Sequence, residues 1–164
     1  MDSKWKKTIW QQFGAAIDML QNAIEHCPDN LWGDRSKHHE FWYVTYHTLF
    51  WLDLYLSGAV EGYHPPEPYT LGELDPAGAL PDRVYTRDEM KTYLHHCRKK
   101  CRERIDALNA EQADRICRFP WGEVSYSELL LYNMRHVQHH AAQLYLILRQ
   151  EIDSAPRWVC LARE

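Results

Sequence analysis

Apolar residues recur at three- and four-residue steps along most of the chain, the spacing that lines one face of a helix. From Ser3 to His26 the stripe is Trp10, Phe13, Ile17, Leu20 and Ile24. Cys27-Pro28-Asp29-Asn30 closes it, because proline disfavours helix in the residue before it. A second helix is predicted over Ser36–Leu56, with Ser36 as a cap and Gly58 as its stop. It is apolar almost all round (Phe41, Trp42, Val44, Leu49, Phe50, Trp51, Leu54), so it must be covered on more than one side. Part of its outer surface is a candidate contact with another subunit. A third helix is predicted over Thr86–Asn109. Thr86 and Glu89 have capping-box spacing, and Met90, Leu94, Cys97, Cys101, Ile105 and Leu108 form the stripe. The fourth, Ser125–Glu151, opens on the same spacing at Ser125 and Glu128, and no glycine or proline interrupts it.

The segments between these helices fix their arrangement. The link after His26 is short, which makes the first two helices antiparallel neighbours. Gly58–Tyr85 carries five prolines (65, 66, 68, 76, 81) and four glycines (58, 62, 72, 78) and reads as a long irregular crossover. Its Tyr63 and Tyr69 argue for packing rather than disorder. Fully extended it spans roughly 90 Å at ~3.3 Å per residue, against about 30 Å for a 20-residue helix. It is therefore long enough to leave the second and third helices parallel. Ala110–Val124 is a connector broken at Phe119-Pro120-Trp121-Gly122. Beyond Ile152, Trp158 and Leu161 are candidates to dock the tail on the helices, and Pro156 excludes a simple helical extension. With no strand pattern, the expected architecture is a single all-α domain over residues 1–164. It is a four-helix bundle with a long crossover between helices two and three.

Composition narrows the function. At 164 residues, 45% hydrophobic and 26% charged, the chain suits one globular domain with a substantial core. A net charge of −4 carries no nucleic-acid footprint. Lys4, Lys6 and Lys7 read as a solvated end, and Arg98, Lys99 and Lys100 as the outer face of a helix. The charged start excludes a signal peptide. The most apolar run, Phe41–Leu56, contains His47 and Asp53 and is too short to span a bilayer, so no membrane partner is expected. Five cysteines, an odd number without a disulfide pattern, point to reduced thiols in a soluble cytoplasmic protein.

The chemistry concentrates in the fourth helix. Leu129, Leu130, Asn133, Val137, Ala141, Leu144 and Leu148 share one face; His140 lies within it, His136 on its edge, and His139 points away. His136 and His140 are one turn apart, so two imidazoles can share one ion. The competing reading is two core histidines satisfied by hydrogen bonds. A third inward histidine shifts the balance: His47 shares a face of the second helix with Val44, Trp51 and Leu54. Three imidazoles from two helices leave an open position on a metal, as catalytic sites do; without metal each would need its own hydrogen-bond partner. His47, His136 and His140 are therefore the candidate ligands of one divalent ion. Cys97-x3-Cys101 beside His95 and His96 is a weaker candidate, since both cysteines continue the apolar stripe and pack as small hydrophobes. Tyr43, Glu40 and Tyr132 are candidate mouth residues, each competing with a plain packing or surface role; His64 is a candidate for the pocket border, with an exposed loop histidine the favoured reading, and no general acid or base is assigned.

His47 within YHTLFWLDLYL, and HVQHHAAQLYLILR with Gln143 after the last histidine, resemble the DinB-like (DinB/YfiT) superfamily of metal-binding four-helix bundles. Helix order and the long second connection extend the resemblance over nearly the whole chain. It implies a down-up-up-down bundle, frequent homodimers, and one divalent ion (zinc, nickel or iron) held by His47, His136 and His140. Ala142-Gln143 stands where Gly-Gln is frequent, a mild departure that leaves the ligands untouched. Some relatives are thiol-dependent transferases or isomerases that use a low-molecular-weight thiol.

Two functions follow. In the first, the chain is a metal-dependent enzyme acting on a small molecule, of the thiol-dependent transferase or hydrolase type. Its metal activates water or a thiol by lowering the pKa. In the second, it is a non-catalytic metal-binding or stress-response interaction protein whose metal pins helix two to helix four. An exchangeable metal ligand separates them. A haem or di-iron carboxylate bundle is disfavoured, because the paired Glu-x-x-His segments are absent.

Overall fold

The first stripe forms α1, Ser3–His26, with Phe13, Ile17, Leu20 and Ile24 fully buried. The computed structural model describes residues 3–36, 40–78 and 80–163. Past Pro28 the link contains a one-turn helix, α2 (Asp29–Trp32), whose Trp32 indole donates to Tyr85 O at 2.9 Å. The next helix, α3, runs Phe41–Ser57 rather than from Ser36. The Ser36 N–H and hydroxyl both donate to Asp34 Oδ1, at 2.9 and 2.6 Å, a local turn that competes with helix. Residues 37–39 of the expected helix lie outside the described residues, and Glu40 holds the N-cap position in extended conformation. Gly58 ends α3 with φ +80°, a left-handed conformation that a side chain would strain.

The crossover is packed as its tyrosines suggest: Tyr63, Tyr69 and Tyr85 are buried, and Tyr69 stacks on Tyr93 with centroids 4.2 Å apart. A short 3-10 turn occupies Leu71–Leu74. The third long helix, α4, is Arg87–Ala107, opened by the full Thr86/Glu89 capping box. The expected strandless connector is corrected in part. It holds a short helix, α5 (Ala110–Asp114), and an antiparallel hairpin of β1 (Ile116–Phe119) and β2 (Gly122–Ser125). The strands alternate too briefly to be read from period: only Cys117 and Phe119 of β1 point inward. The last helix, α6, is Tyr126–Ile152; Ser125 Oγ accepts from Glu128 N, which is one half of a capping box.

The fold is mostly helical, as an all-α reading expects. Among the long helices, α1 and α3 each pack against both α4 and α6. Tyr126 reaches Leu56 O and Asn133 reaches Leu52 O, so α3 and α6 pair in opposite order. Cys97 meets Leu49 O and Lys100 meets Ser57 Oγ, so α3 and α4 pair in the same order. Along α1, Lys6 meets Asp106 O and Asp18 meets Arg98, an order opposite to that of α4. Between them, the buried Asp53 carboxylate takes Lys100 Nζ at 2.5 Å and the Tyr63 hydroxyl at 2.9 Å, tying α3, α4 and the crossover together.

The tail docks, but not through the residues expected of it: Trp158 is 65% and Leu161 54% exposed. Instead Ala162 N donates to Gln11 O and Arg163 N to the buried Asp18 Oδ2. Gly14 permits this approach, since a Cβ there would lie 2.5 Å from Ala162 Cβ. Surface around α3 is also scarcer than its sequence implies. Tyr46 packs on Tyr69 and Tyr85 of the crossover, and no described α3 residue is fully exposed. Among the described residues no helix is long and apolar enough to cross a membrane.

Candidate metal centre

The antiparallel pairing of α3 and α6 places His47 opposite the His136/His140 turn. Ring centroids lie 5.5 Å apart for His47–His136, 4.9 Å for His47–His140 and 4.5 Å for His136–His140. One nitrogen from each ring falls within 4.8 Å of the others. His139 is exposed on the outer side of α6, as the helical register requires.

Hydrogen bonds orient two of the rings. His47 Nδ1 lies 2.7 Å from Glu73 Oε2, and His140 Nδ1 lies 2.6 Å from Gln143 Oε1. A carboxylate or amide oxygen accepts, so both Nδ1 atoms carry the proton and both Nε2 lone pairs are left free. His136 Nδ1 is buried with no hydrogen-bond partner, a polar atom that a cation would satisfy. Burial, then the neighbouring His140 and His47, pushes His136 down from 6.5 to about 3. Burial also pushes His140 down to about 4, against the bond to Gln143. Both rings are thus held neutral, the form that ligates metal. The donor set fits a borderline divalent ion: three neutral imidazoles, two with fixed tautomers and one with an orphaned nitrogen.

Aromatic rings wall the cluster. Tyr43 and Trp51 flank His47, each with centroids 6.3 Å away, and the edge of Tyr55 faces His136 at 6.1 Å. Tyr43 also lies beside the Glu73 carboxylate, and burial together with that negative charge raises its hydroxyl above the ordinary tyrosine value. A groove of about 630 Å³ runs along the outer side, lined by Tyr132, Arg135, His136, His139, Ala142 and Trp158. It has the size of a small-molecule site and meets the cluster at His136.

The other sequence candidates divide. Tyr132 borders the groove and stacks on Trp121 at 4.5 Å. Glu40 is turned to the Trp42 indole (2.5 Å) and Arg35 (3.5 Å). His64 is exposed. Cys97 and Cys101 are fully buried, and desolvation raises both thiols, so they pack rather than react. Sequence reasoning missed Glu73: it sits on an irregular turn where no periodicity marks a direction. The crossover also carries Glu61, Glu67, Asp75 and Asp82, and nothing in the sequence singles Glu73 out from them.

A sequence model described as the DinB superfamily matches residues 12–144, a span that takes in all three histidines. No curated protein and no solved structure gives a match.

Proposed function

The chain belongs to the DinB superfamily, and on that premise we propose that it is a metal-dependent enzyme acting on a small molecule, of the thiol-dependent transferase or hydrolase type. The observation that carries this reading is the convergence of His47, His136 and His140, from two helices, to within 4.8 Å. Zinc, nickel and iron all accept imidazole, and any of them suits the set. When bound, such an ion supplies Lewis acidity and lowers the pKa of a water or thiol beside it.

The chain's own residues do the rest. Glu73 and Gln143 fix the tautomers of His47 and His140. Trp51 and Tyr55 wall one side. The groove beside His136 gives a small molecule a way in, and Arg135 on its wall favours an anionic one. The cluster contains three protein ligands among the described residues, which favours an exchangeable fourth position over the closed site of a purely structural metal.

We read the four long helices as the superfamily's down-up-up-down bundle, in line with the residue pairings of α1, α3, α4 and α6. The buried free cysteines fit a cytoplasmic setting. A homodimer belongs to the same reading, with exposed Leu131 and Leu146 of α6 as its apolar supply. Sedimentation at micromolar concentration tests it, and a monomer counts against it.

The decisive experiment is metal analysis of tag-free protein purified without added metal. About one equivalent of a divalent ion is expected. Protein that carries none, and takes up none on titration, sinks the proposal.

A further inference from the structure

Glu73 meets the cluster from behind His47 with a carboxylate almost sealed from solvent. Its side chain is only 3% exposed, and its Oε2 faces a candidate ligand rather than a surface cation. A buried carboxylate persists only where donors and charge partners compensate its lost hydration. Here the compensating groups are His47 Nδ1–H at 2.7 Å and Tyr43.

The turn that presents Glu73 is held from both sides. Thr70 Oγ1 caps it by accepting from Gly72 N at 3.3 Å, and the Tyr46 hydroxyl of α3 donates to Thr70 O at 3.4 Å. Just before it, the Tyr69 hydroxyl donates to Glu89 O of α4 at 2.7 Å. Just after it, Leu74 packs against the core. The carboxylate therefore arrives on a fixed backbone, aimed at the nitrogen of His47 that does not face the cluster.

We propose that Glu73 is a positioning residue of the metal centre, orienting His47 and making the crossover part of the site. This rests on the metal reading above. A carboxylate on the far nitrogen of a ligating imidazole fixes the tautomer and the ring plane and raises the basicity of the lone pair. Loss of such a partner weakens metal binding by about 10–100-fold. Through the same bond the crossover, which holds no ligand of its own, sets how tightly the ion is held.

Cobalt(II) titration with visible spectroscopy tests this, together with thermal unfolding of the metal-free proteins. Glu73→Ala is expected to lower cobalt affinity about 10–100-fold and to shift the cobalt absorption bands. Glu73→Gln keeps an oxygen that accepts from Nδ1–H, so it should recover most of that affinity and the wild-type bands. Two results overturn the proposal. One is a Glu73→Ala protein that binds cobalt as wild type does with the same spectrum. The other is a Glu73→Gln protein as weak as Glu73→Ala, since restored hydrogen bonding would then be irrelevant. A fall in the metal-free unfolding midpoint without any spectral change is a form of the first, in which Glu73 has a purely structural role. His47→Ala separates the two layers: if it binds cobalt normally, the metal reading itself fails.

Discussion

The imidazoles of His47 and His140 meet edge to face, centroids 4.9 Å apart, although they come from two different helices, α3 and α6. Neither ring has a protein partner for its second nitrogen among the hydrogen bonds of the described residues. Ordering rotamers so that two such nitrogens face each other costs free energy that a shared cation offsets. Single replacement of His47, His136 or His140 by Ala should therefore lower bound metal at least about tenfold, the lower end for perturbing even an outer ligand partner. His139→Ala should leave it unchanged, because that ring is exposed and offers no nitrogen to the convergent group. Metal content by mass spectrometry after dialysis decides the matter. Loss with His139→Ala and retention with His136→Ala would reject this ligand set.

The register of that helix was legible in the sequence because α6 is long, uninterrupted and amphipathic. Burial alternates as its period dictates, from Leu129 through Asn133, Val137 and Ala141 to Leu148. The extent of α1 and the Thr86/Glu89 box at α4 were legible for the same reason: local chemistry and tertiary packing agree there. Where one residue's partner lies far away in sequence, the text is silent. Glu73 meets His47 only because the crossover folds back, and nothing in its own neighbourhood encodes that. The β1–β2 hairpin escaped notice because its turn is Pro120-Trp121, not the glycine turn that marks most hairpins. The tail misled in the opposite direction. Trp158 and Leu161 stay exposed, while Val159, Ala162, backbone groups and the Arg163 side chain make the contact.

Acid should destabilise the metal-free protein earlier than its carboxylates alone would. His136 and His140 stand near 3 and 4 in the folded chain against 6.5 unfolded, burial being the main cause. Between those values the unfolded chain binds protons that the folded chain refuses. Stability is thus full above about 6.5 and lost progressively as pH falls towards 4. Unfolding midpoints of chelator-treated protein should drop across that window. A double replacement of both rings by Leu should flatten the drop, and an unchanged slope would count against burial of neutral rings. The same shifts place the acid loss of metal at these two ligands below the 6.5 of free imidazole.

Asp53 should dominate stability among the polar core residues. Its carboxylate is 1% exposed and meets Lys100, Tyr63 and Tyr93, at 2.5, 2.9 and 3.3 Å. Asp53→Ala strands a largely buried ammonium and should cost about 3–5 kcal/mol. Tyr63→Phe removes one neutral donor and should cost about 1 kcal/mol. Urea denaturation of the two variants measures both. Comparable losses would show that the ion pair is not the centre of this network.

Ligand exchange at the metal separates an enzyme from a structural site. Three imidazoles converge, and among the described residues no further His, Cys, Asp or Glu joins them. Glu73 is turned to the rear of His47, and the thiols of Cys97 and Cys101 are sealed in the core. A tetrahedral ion held here therefore has at least one position for a ligand from solution. A groove of about 630 Å³ borders the cluster at His136. Adding a low-molecular-weight thiol to the cobalt-loaded protein should produce a new near-ultraviolet sulfur-to-cobalt absorption that saturates with thiol concentration. Trp158→Ala, on the groove wall, should change that thiol dependence without changing cobalt affinity. A spectrum indifferent to thiol, azide and cyanide alike would mean a closed site. The metal would then serve to pin α3 to α6, and the enzyme reading would give way to the structural one.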